Sequence, residues 1–261
     1  MSAASGRWDD LAARVLTGIV LAGAGAFTAW AGGWWFLALC LAAAGAMIWE
    51  LARMTGFRSG PVPVLLGAAG ALVLLMVTLL PQSVTIAALV LVAVTVGFAA
   101  RFSRLGTGLY AGAILLATAF LFNLREEAGL AWVVWLIGVV VASDIAGYAA
   151  GRAIGGPKFW PRISPKKTWS GTIAGWIAAA AFGAFMAPLL GAGAALIWLS
   201  VAIAFAGQLG DIAESALKRR AGVKDSSGLL PGHGGVLDRL DALVGAALAL
   251  MLLQAAGGLA G

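Results

Sequence analysis

Long apolar runs alternate with short polar breaks along almost the whole chain. Several breaks contain helix-stopping residues, as at Gly32-Gly33, Gly60-Pro61 and Pro81. An α-helix needs about 20 apolar residues to cross a bilayer, and open strands would leave their backbone groups unpaired in lipid. The pattern therefore predicts an all-α, polytopic integral membrane protein with about nine transmembrane helices. The nine runs cover residues 11–31, 33–52, 62–80, 82–100, 105–122, 129–150, 172–191, 194–217 and 242–260.

Composition supports lipid as the solvent of this chain. Of its 261 residues, 62% are hydrophobic and only 11% are charged, whereas soluble domains have about 25% charged residues. These values exclude a soluble, a disordered or a disulfide-rich secreted protein. We expect the first run to be a retained span and not a cleaved signal peptide, because further spans follow it at once.

The basic residues predict how the chain is oriented. Sixteen of the 17 fall in alternate loops on the side of the N-terminus, and the opposite loops hold only Arg125, beside Glu126 and Glu127. By the positive-inside rule the first set is cytoplasmic. We therefore expect the N-terminus inside and the C-terminus outside, in a cell membrane such as the bacterial inner membrane. The sixteen residues are Arg7, Arg14, Arg53, Arg58, Arg101, Arg104, Arg152, Lys158, Arg162, Lys166, Lys167, Lys218, Arg219, Arg220, Lys224 and Arg239.

Two polar loops are much longer than the others and lie on the predicted cytoplasmic side, at 151–171 and 218–241. Connections usually have about 4–6 residues, so loops of this length indicate a function. We expect residues 1–122 to frame the fold. Residues 123–261, which include both loops, are expected to carry the chemistry.

Acidic residues within apolar runs indicate a cavity. Asp144 and Asp211 lie in such runs, where a charge costs about 2.5–3.5 kcal/mol and usually faces a partner or a water path. Asp211, Glu214, Ser215 and Lys218 share one helical face by their spacing. This polar stripe fits a transporter as well as an enzyme, and a helix-packing ion pair is the simpler alternative for either acid.

The segment 218–241 mixes cations, carboxylates and glycines. Glycines let backbone N–H groups approach phosphate oxygens, which Lys and Arg neutralise. Asp238 and Asp241 lie where the last helix begins and are three residues apart. Carboxylates of this kind, together with phosphate oxygens, suit Mg²⁺. The segment predicts a Mg²⁺–phosphate site at the membrane surface, with a solvated charged loop as the alternative. His233, the only histidine, is either structural or contacts a phosphate or nucleotide.

The loop 151–171 holds five cations and no carboxylate, with Trp160 and Trp169 as candidate interfacial anchors. Binding of an anionic substrate and attachment to acidic lipids explain it equally well. Over the whole chain the net charge is +6. In a membrane protein this excess indicates lipid head groups or a phosphorylated substrate as partners and no nucleic acid.

Three segments resemble those of phosphatidate cytidylyltransferases. The main one meets every fixed position of that family's signature over 27 residues, from Ser215-Ala216-Leu217-Lys218-Arg219 through Lys224-Asp225 to His233-Gly234-Gly235-Val236-Leu237-Asp238-Arg239-Leu240-Asp241. The others are Ser164-Pro165-Lys166-Lys167-Thr168-Trp169 and Asp144-Ile145-Ala146-Gly147-Tyr148 with Gly151-Arg152. The likeness is close over about 140–245 and otherwise rests on hydropathy and length. Ser170 departs from it, since many members have Glu there.

The resemblance implies a dimeric, polytopic membrane enzyme that makes CDP-diacylglycerol and pyrophosphate from CTP and phosphatidate, using Mg²⁺ and a second cation such as K⁺. It implies that Asp225, Asp238 and Asp241 bind metal and, with Lys224 and Arg239, form the catalytic set. Lys218, Arg219, Lys224 and Arg239 would neutralise the triphosphate. Ser164, Lys166, Lys167 and Arg152 would hold the lipid head group or the nucleotide, and Ser215, His233, Gly234 and Gly235 would also contact substrate. Asp144, Asp211 and Glu214 would shape the cavity or hold the second cation.

Two other functions compete with this one. A transporter or flippase for an anionic lipid or phosphorylated substrate would use the intramembrane acids as a proton or Na⁺ relay. The charges crowd one face and no paired short hydrophobic halves occur, which disfavours it. An enzyme that consumes CDP-lipids would resemble a different pattern, Asp-Gly-x-x-Ala-Arg, which the sequence lacks.

Overall fold

The computed structural model describes residues 3–57 and 59–257. Arg58 of the basic set and the last three positions of the predicted ninth span lie outside the described residues. Within them the chain forms nine α-helices, one for each predicted span, which confirms the helical class. They are α1 (Ala3–Ala31), α2 (Gly33–Thr55), α3 (Pro61–Leu79), α4 (Gln82–Ala99), α5 (Arg104–Asn123), α6 (Leu130–Ala153), α7 (Trp169–Leu189), α8 (Ala195–Ala221) and α9 (Leu237–Ala255).

Both long loops, and the predicted break after α5, contain more regular structure than the sequence indicated. Strands β1 (Lys158–Trp160) and β2 (Ser164–Thr168) form an antiparallel hairpin after α6. Three prolines between 157 and 165 prevent a helix there, so the backbone pairs as a hairpin instead. Helix α8 continues to Ala221, and a π-helical turn, Leu124–Ala128, extends α5.

Six helices are long and apolar enough to cross a membrane in the part of the chain that the structure describes: α2, α3, α5 with its π-helical turn, α6, α7 and α8. The apolar parts of α1 and α4 are shorter, and α9 begins with Asp238, Arg239 and Asp241. Large apolar side chains such as Leu105 and Trp198 are each 76% exposed, as expected for surfaces that contact lipid. These features are those of a multi-pass membrane protein.

The chain forms two compact units. The first comprises Met1–Leu115 with Arg220–Leu240. In its core α2 and α3 approach closely at Gly45 and Gly67, where a Cβ on Gly67 would lie 2.7 Å from the Gly45 carbonyl oxygen. The side chains buried there include Met47, Ile48, Leu51 and Leu74.

The second unit comprises Leu116–Arg219 with Asp241–Gly261. Helices α6 and α7 meet at Gly147 and Gly171, where a Cβ on Gly171 would lie 2.5 Å from the Gly147 carbonyl oxygen. The buried Trp135 indole donates to Ser200 Oγ over 2.9 Å and so joins α6 to α8. The small residues along these helices allow the close packing that membrane helices require.

Candidate active site

Three carboxylates of the second unit lie together. Asp211 and Glu214 come from α8 and Asp241 from α9, and one oxygen of each lies within 4.8 Å of the others. Glu214 is fully buried and Asp241 is 9% exposed. We call this group the carboxylate cluster (Asp211, Glu214, Asp241).

Glycines bring α8 and α9 close enough to form the cluster. A Cβ on Gly210 would lie 2.5 Å from the backbone carbonyl oxygen of Asp241 and 3.0 Å from Gly245. A Cβ on Gly245 would in turn collide with the Ala206 carbonyl oxygen. Only residues without a side chain permit this crossing.

Two lysines pair with the carboxylate cluster. Lys167 Nζ lies 2.5 Å from Asp211 Oδ2, and Lys218 forms an ion pair with Glu214 one turn earlier on α8. Ser215 Oγ donates to Asp211 Oδ1 over 3.2 Å. Three carboxylates and two ammonium groups thus lie together. Clustered carboxylate oxygens fit a hard divalent cation such as Mg²⁺.

The β hairpin positions Lys167. The next residue, Thr168, caps α7 because its Oγ1 accepts from Gly171 N over 3.2 Å. Ser170 Oγ donates to the Gly155 carbonyl oxygen over 2.5 Å, which ties the start of α7 to the segment that follows α6. Lys167 Nζ also donates to the Gln208 carbonyl oxygen over 3.4 Å. Lys167 is thereby held between its own strand and α8.

Other predicted residues of the second unit surround this region less closely. Asp144 on α6 is near enough to Lys167 and Asp211 for their charges to act on it. Lys166 and Arg152 are exposed, and Ser164 is half-buried. Arg152 Nη1 donates to Tyr148 Oη over 3.0 Å. The exposed cations are therefore available to an anionic ligand.

A second network of carboxylates organises the loop before α9, within the first unit. Asp238 accepts from Ser226 N over 2.9 Å, from Ser226 Oγ over 3.0 Å and from Gly235 N over 2.8 Å. Glu50, fully buried in α2, accepts from Ser227 Oγ over 2.6 Å and from Leu237 N over 2.7 Å. Sequence reasoning missed Glu50, although its signal was present as a lone carboxylate in the apolar run 33–52.

The remaining predicted residues lie on this same loop and the adjoining helix ends. Gly234 adopts a left-handed backbone with φ 83°, and its carbonyl oxygen accepts from Leu230 N over 2.8 Å. Arg239 Nε donates to the His233 carbonyl oxygen over 2.8 Å. The side chain of His233 is half-buried. The exposed charged residues are Arg219, Lys224, Asp225 and Arg239.

The structure distributes the three predicted metal ligands differently from the sequence-based assignment. Asp241 groups with Asp211 and Glu214, which were assigned to the cavity. Asp238 accepts hydrogen bonds from the loop, and Asp225 is exposed. The roles of Asp225 and Asp238 as ligands stay predictions.

Comparison with known proteins identifies the family. A model described as "Cytidylyltransferase family" matches residues 12–256. The phosphatidate cytidylyltransferase of Brucella suis is 39% identical over 255 residues, which are 95% of this chain and 94% of that protein. The phosphatidate cytidylyltransferase of Bacillus subtilis is 32% identical over 90% of this chain and 94% of its own length. That of Helicobacter pylori is 42% identical over 51% of this chain and 50% of its own. The chain therefore belongs to the cytidylyltransferase family.

Proposed function

We propose that the protein is a phosphatidate cytidylyltransferase, which transfers CMP from CTP to phosphatidate and releases pyrophosphate. The product, CDP-diacylglycerol, is an intermediate of phospholipid biosynthesis. Relatives that share this name align with most of the chain. The observation that carries the proposal is the carboxylate cluster with its two lysines, since this arrangement suits phosphoryl chemistry beside a bilayer.

The reaction needs charge neutralisation more than it needs a base. A phosphate oxygen of phosphatidate forms a bond to the α-phosphorus of CTP, and the bond from that phosphorus to the α,β-bridging oxygen breaks. A phosphate monoester has a second pKa of about 6 and is already nucleophilic at neutral pH. Positioning of two anions and stabilisation of the leaving pyrophosphate therefore supply most of the catalysis.

The carboxylate cluster would hold Mg²⁺. A bound divalent cation there supplies Lewis-acid neutralisation of phosphate oxygens. Lys167 and Lys218 hold Asp211 and Glu214 in place and limit the repulsion among the three carboxylates. Asp144, whose carboxyl is close enough to Asp211 for their charges to interact, is our candidate for the second cation, K⁺.

The exposed cations would bind the phosphate groups of the substrates. Lys166 and Arg152, with Ser164, lie at the hairpin and the end of α6 and would hold the head group of phosphatidate or part of CTP. Lys224 and Arg239, with Arg219, would neutralise the triphosphate, and His233 would contact a phosphate or the nucleotide. We further propose a homodimer with nine membrane-crossing helices, the N-terminus inside and the active site facing the cytoplasm.

A direct assay tests the proposed function. Protein purified in detergent is incubated with phosphatidate, Mg²⁺ and radiolabelled CTP, and CDP-diacylglycerol and pyrophosphate are measured. We expect equal amounts of both products from the wild type and none from Asp241→Asn. Glu127→Gln, which changes an exposed carboxylate in the π-helical turn, is the matched control and should keep full activity. A well-folded wild type that forms neither product would refute the proposal.

The transporter is the alternative function, and family membership does not favour it. It predicts that an anionic lipid or phosphorylated substrate crosses the membrane of sealed liposomes containing the protein, with no CTP consumed. We expect CTP consumption instead. Movement of the substrate without CTP consumption would reverse this choice.

A further inference from the structure

Glu50 is a fully buried carboxylate whose hydrogen-bond partners all lie far along the chain. It sits near the end of α2 with no exposed surface. Its Oε1 accepts from Ser227 Oγ over 2.6 Å and from Val236 N over 2.9 Å. Its Oε2 accepts from Leu237 N over 2.7 Å and from Ser226 Oγ over 3.3 Å. Four donors from one segment thus converge on one side chain.

The partners fix both ends of the loop that precedes α9. Ser226 and Ser227 lie at its beginning, and Val236 and Leu237 lie where the helix starts. A negative charge is favourable at a helix N-terminus, and the two backbone N–H groups there have no partner within the helix itself. Glu50 therefore closes the loop and caps α9 in one contact.

Close packing leaves the Glu50 carboxylate little freedom. A Cβ on Gly235 would lie 2.5 Å from Glu50 Oε1 and would collide with Ser226 Oγ. Asp238 closes the loop from its other side through Ser226 N and Gly235 N. Between these anchors the residues at 228–229 and 231–232 are exposed, so the two carboxylates hold the buried ends of the loop.

We propose that Glu50 is a positioning residue for CTP. It acts by holding the loop 224–236, which carries Lys224, Asp225 and His233, in the conformation that meets the triphosphate. The proposal rests on the proposed function, because Lys224 and His233 are assigned to the substrate there. Glu50 lies in α2, outside the signature segments, and touches no substrate itself.

The chemistry of the contact dictates the variants. In Glu50→Gln the amide nitrogen cannot accept a hydrogen bond, so the donors on that side lose their acceptor while the volume is unchanged. Glu50→Asp keeps both acceptor oxygens but shortens the reach by one methylene. Ile48→Val, at a fully buried position of the same helix, is the matched control, since it removes one methylene from a side chain that packs against Gly70 of α3.

Two measurements test the proposal together. Hydrogen exchange followed by mass spectrometry reports the amide protons of 226–237, and steady-state kinetics report KM for CTP, KM for phosphatidate and kcat. We expect Glu50→Gln to speed exchange in that segment at least about tenfold. We expect kcat/KM for CTP to fall about 10- to 100-fold, mainly through KM for CTP. KM for phosphatidate should stay within about twofold of wild type, Glu50→Asp should be intermediate, and Ile48→Val should match wild type in both measurements.

The outcomes separate this inference from the proposed function. Faster exchange with unchanged kinetics, or equal losses for Ile48→Val, would overturn the positioning role while the transferase stands. Unchanged exchange in Glu50→Gln would overturn the contact itself. A wild type that makes no CDP-diacylglycerol would refute the proposed function, and the positioning role with it, even where exchange in the variant is faster.

Discussion

Replacing Gly210 by alanine should inactivate the protein by separating two helices. The new Cβ would lie 2.5 Å from the Asp241 carbonyl oxygen, whereas ordinary contact begins at 3.4 Å. Helix α9 must therefore retreat by about 1 Å, and Asp241 moves with it. The oxygens of the carboxylate cluster lie within 4.8 Å of one another, and Mg²⁺ requires ligands at about 2.0–2.1 Å with little tolerance.

We expect kcat of Gly210→Ala to fall about 100-fold, the effect of misplacing reacting groups by about 1 Å. The assay is the formation of CDP-diacylglycerol from labelled CTP at saturating substrates and a range of Mg²⁺ concentrations. Half-maximal activity should require more Mg²⁺ than in the wild type. Gly25→Ala is the matched control, because its new Cβ meets nothing within 4 Å and the substitution favours the helix by about 0.5–1 kcal/mol.

Retention of wild-type kcat and Mg²⁺ dependence by a folded Gly210→Ala protein would refute this reasoning. It would mean that the helices accommodate the methyl group without moving Asp241, or that the carboxylate cluster does not hold the cation. Equal losses of activity in Gly210→Ala and Gly25→Ala would also refute it. Alanine would then act by a general effect on a helix and not at the crossing of α8 and α9.

Further predictions concern other contacts. Chelation by EDTA should stop turnover, and added Mg²⁺ should restore it; activity that survives chelation would contradict the role of the cluster. Lys218→Met removes the ion pair of the buried Glu214 and should lower the free energy of unfolding by about 3–5 kcal/mol, seen as a lower melting temperature in detergent. The Asp238 carboxylate accepts hydrogen bonds from Ser226 N and Gly235 N, so Asp238→Asn should speed amide exchange at both residues. Unchanged exchange would argue against that contact. Thr168→Val removes the cap of α7 and should cost about 1 kcal/mol, with Thr168→Ser as the control that keeps it.

The helices were predictable because lipid constrains them strongly. A span must be apolar over about 20 residues, so each predicted run coincides with a helix. The hairpin was not predictable in the same way. Its strands are only three and five residues long, and the five cations of its loop mask the weak alternation on which a strand prediction depends.

The grouping of the carboxylates depended on tertiary structure. The spacing of Asp211, Glu214 and Lys218 correctly placed them along one side of a helix, as their contacts show. The spacing of Asp238 and Asp241 suggested a shared direction, but Asp238 lies in the first turn of α9 and its carboxylate bends back to Gly235 N. Local periodicity does not reveal whether a first-turn carboxylate caps its own helix or faces a neighbour.

Glu50 shows why a site can contain residues that no motif includes. Its partner Ser226 is 176 residues further along the chain. A local pattern reports helix faces and turns, and it cannot report which distant donors a buried carboxylate meets. The available signal was physical: one charge in an apolar helix needs a partner.

The separation between Glu50 and its partners has a consequence for biosynthesis. At about 5–20 residues per second, a ribosome needs roughly 9–35 s to make the 176 residues between Glu50 and Ser226. During that time α2 must remain in the membrane without the donors that the finished loop supplies to the Glu50 carboxylate. The apolar remainder of α2 therefore has to secure its insertion. Because the first unit also needs Arg220–Leu240, it is completed only after residue 240 has been made, and a nascent chain released before then would expose an unfinished helix bundle to quality-control proteases.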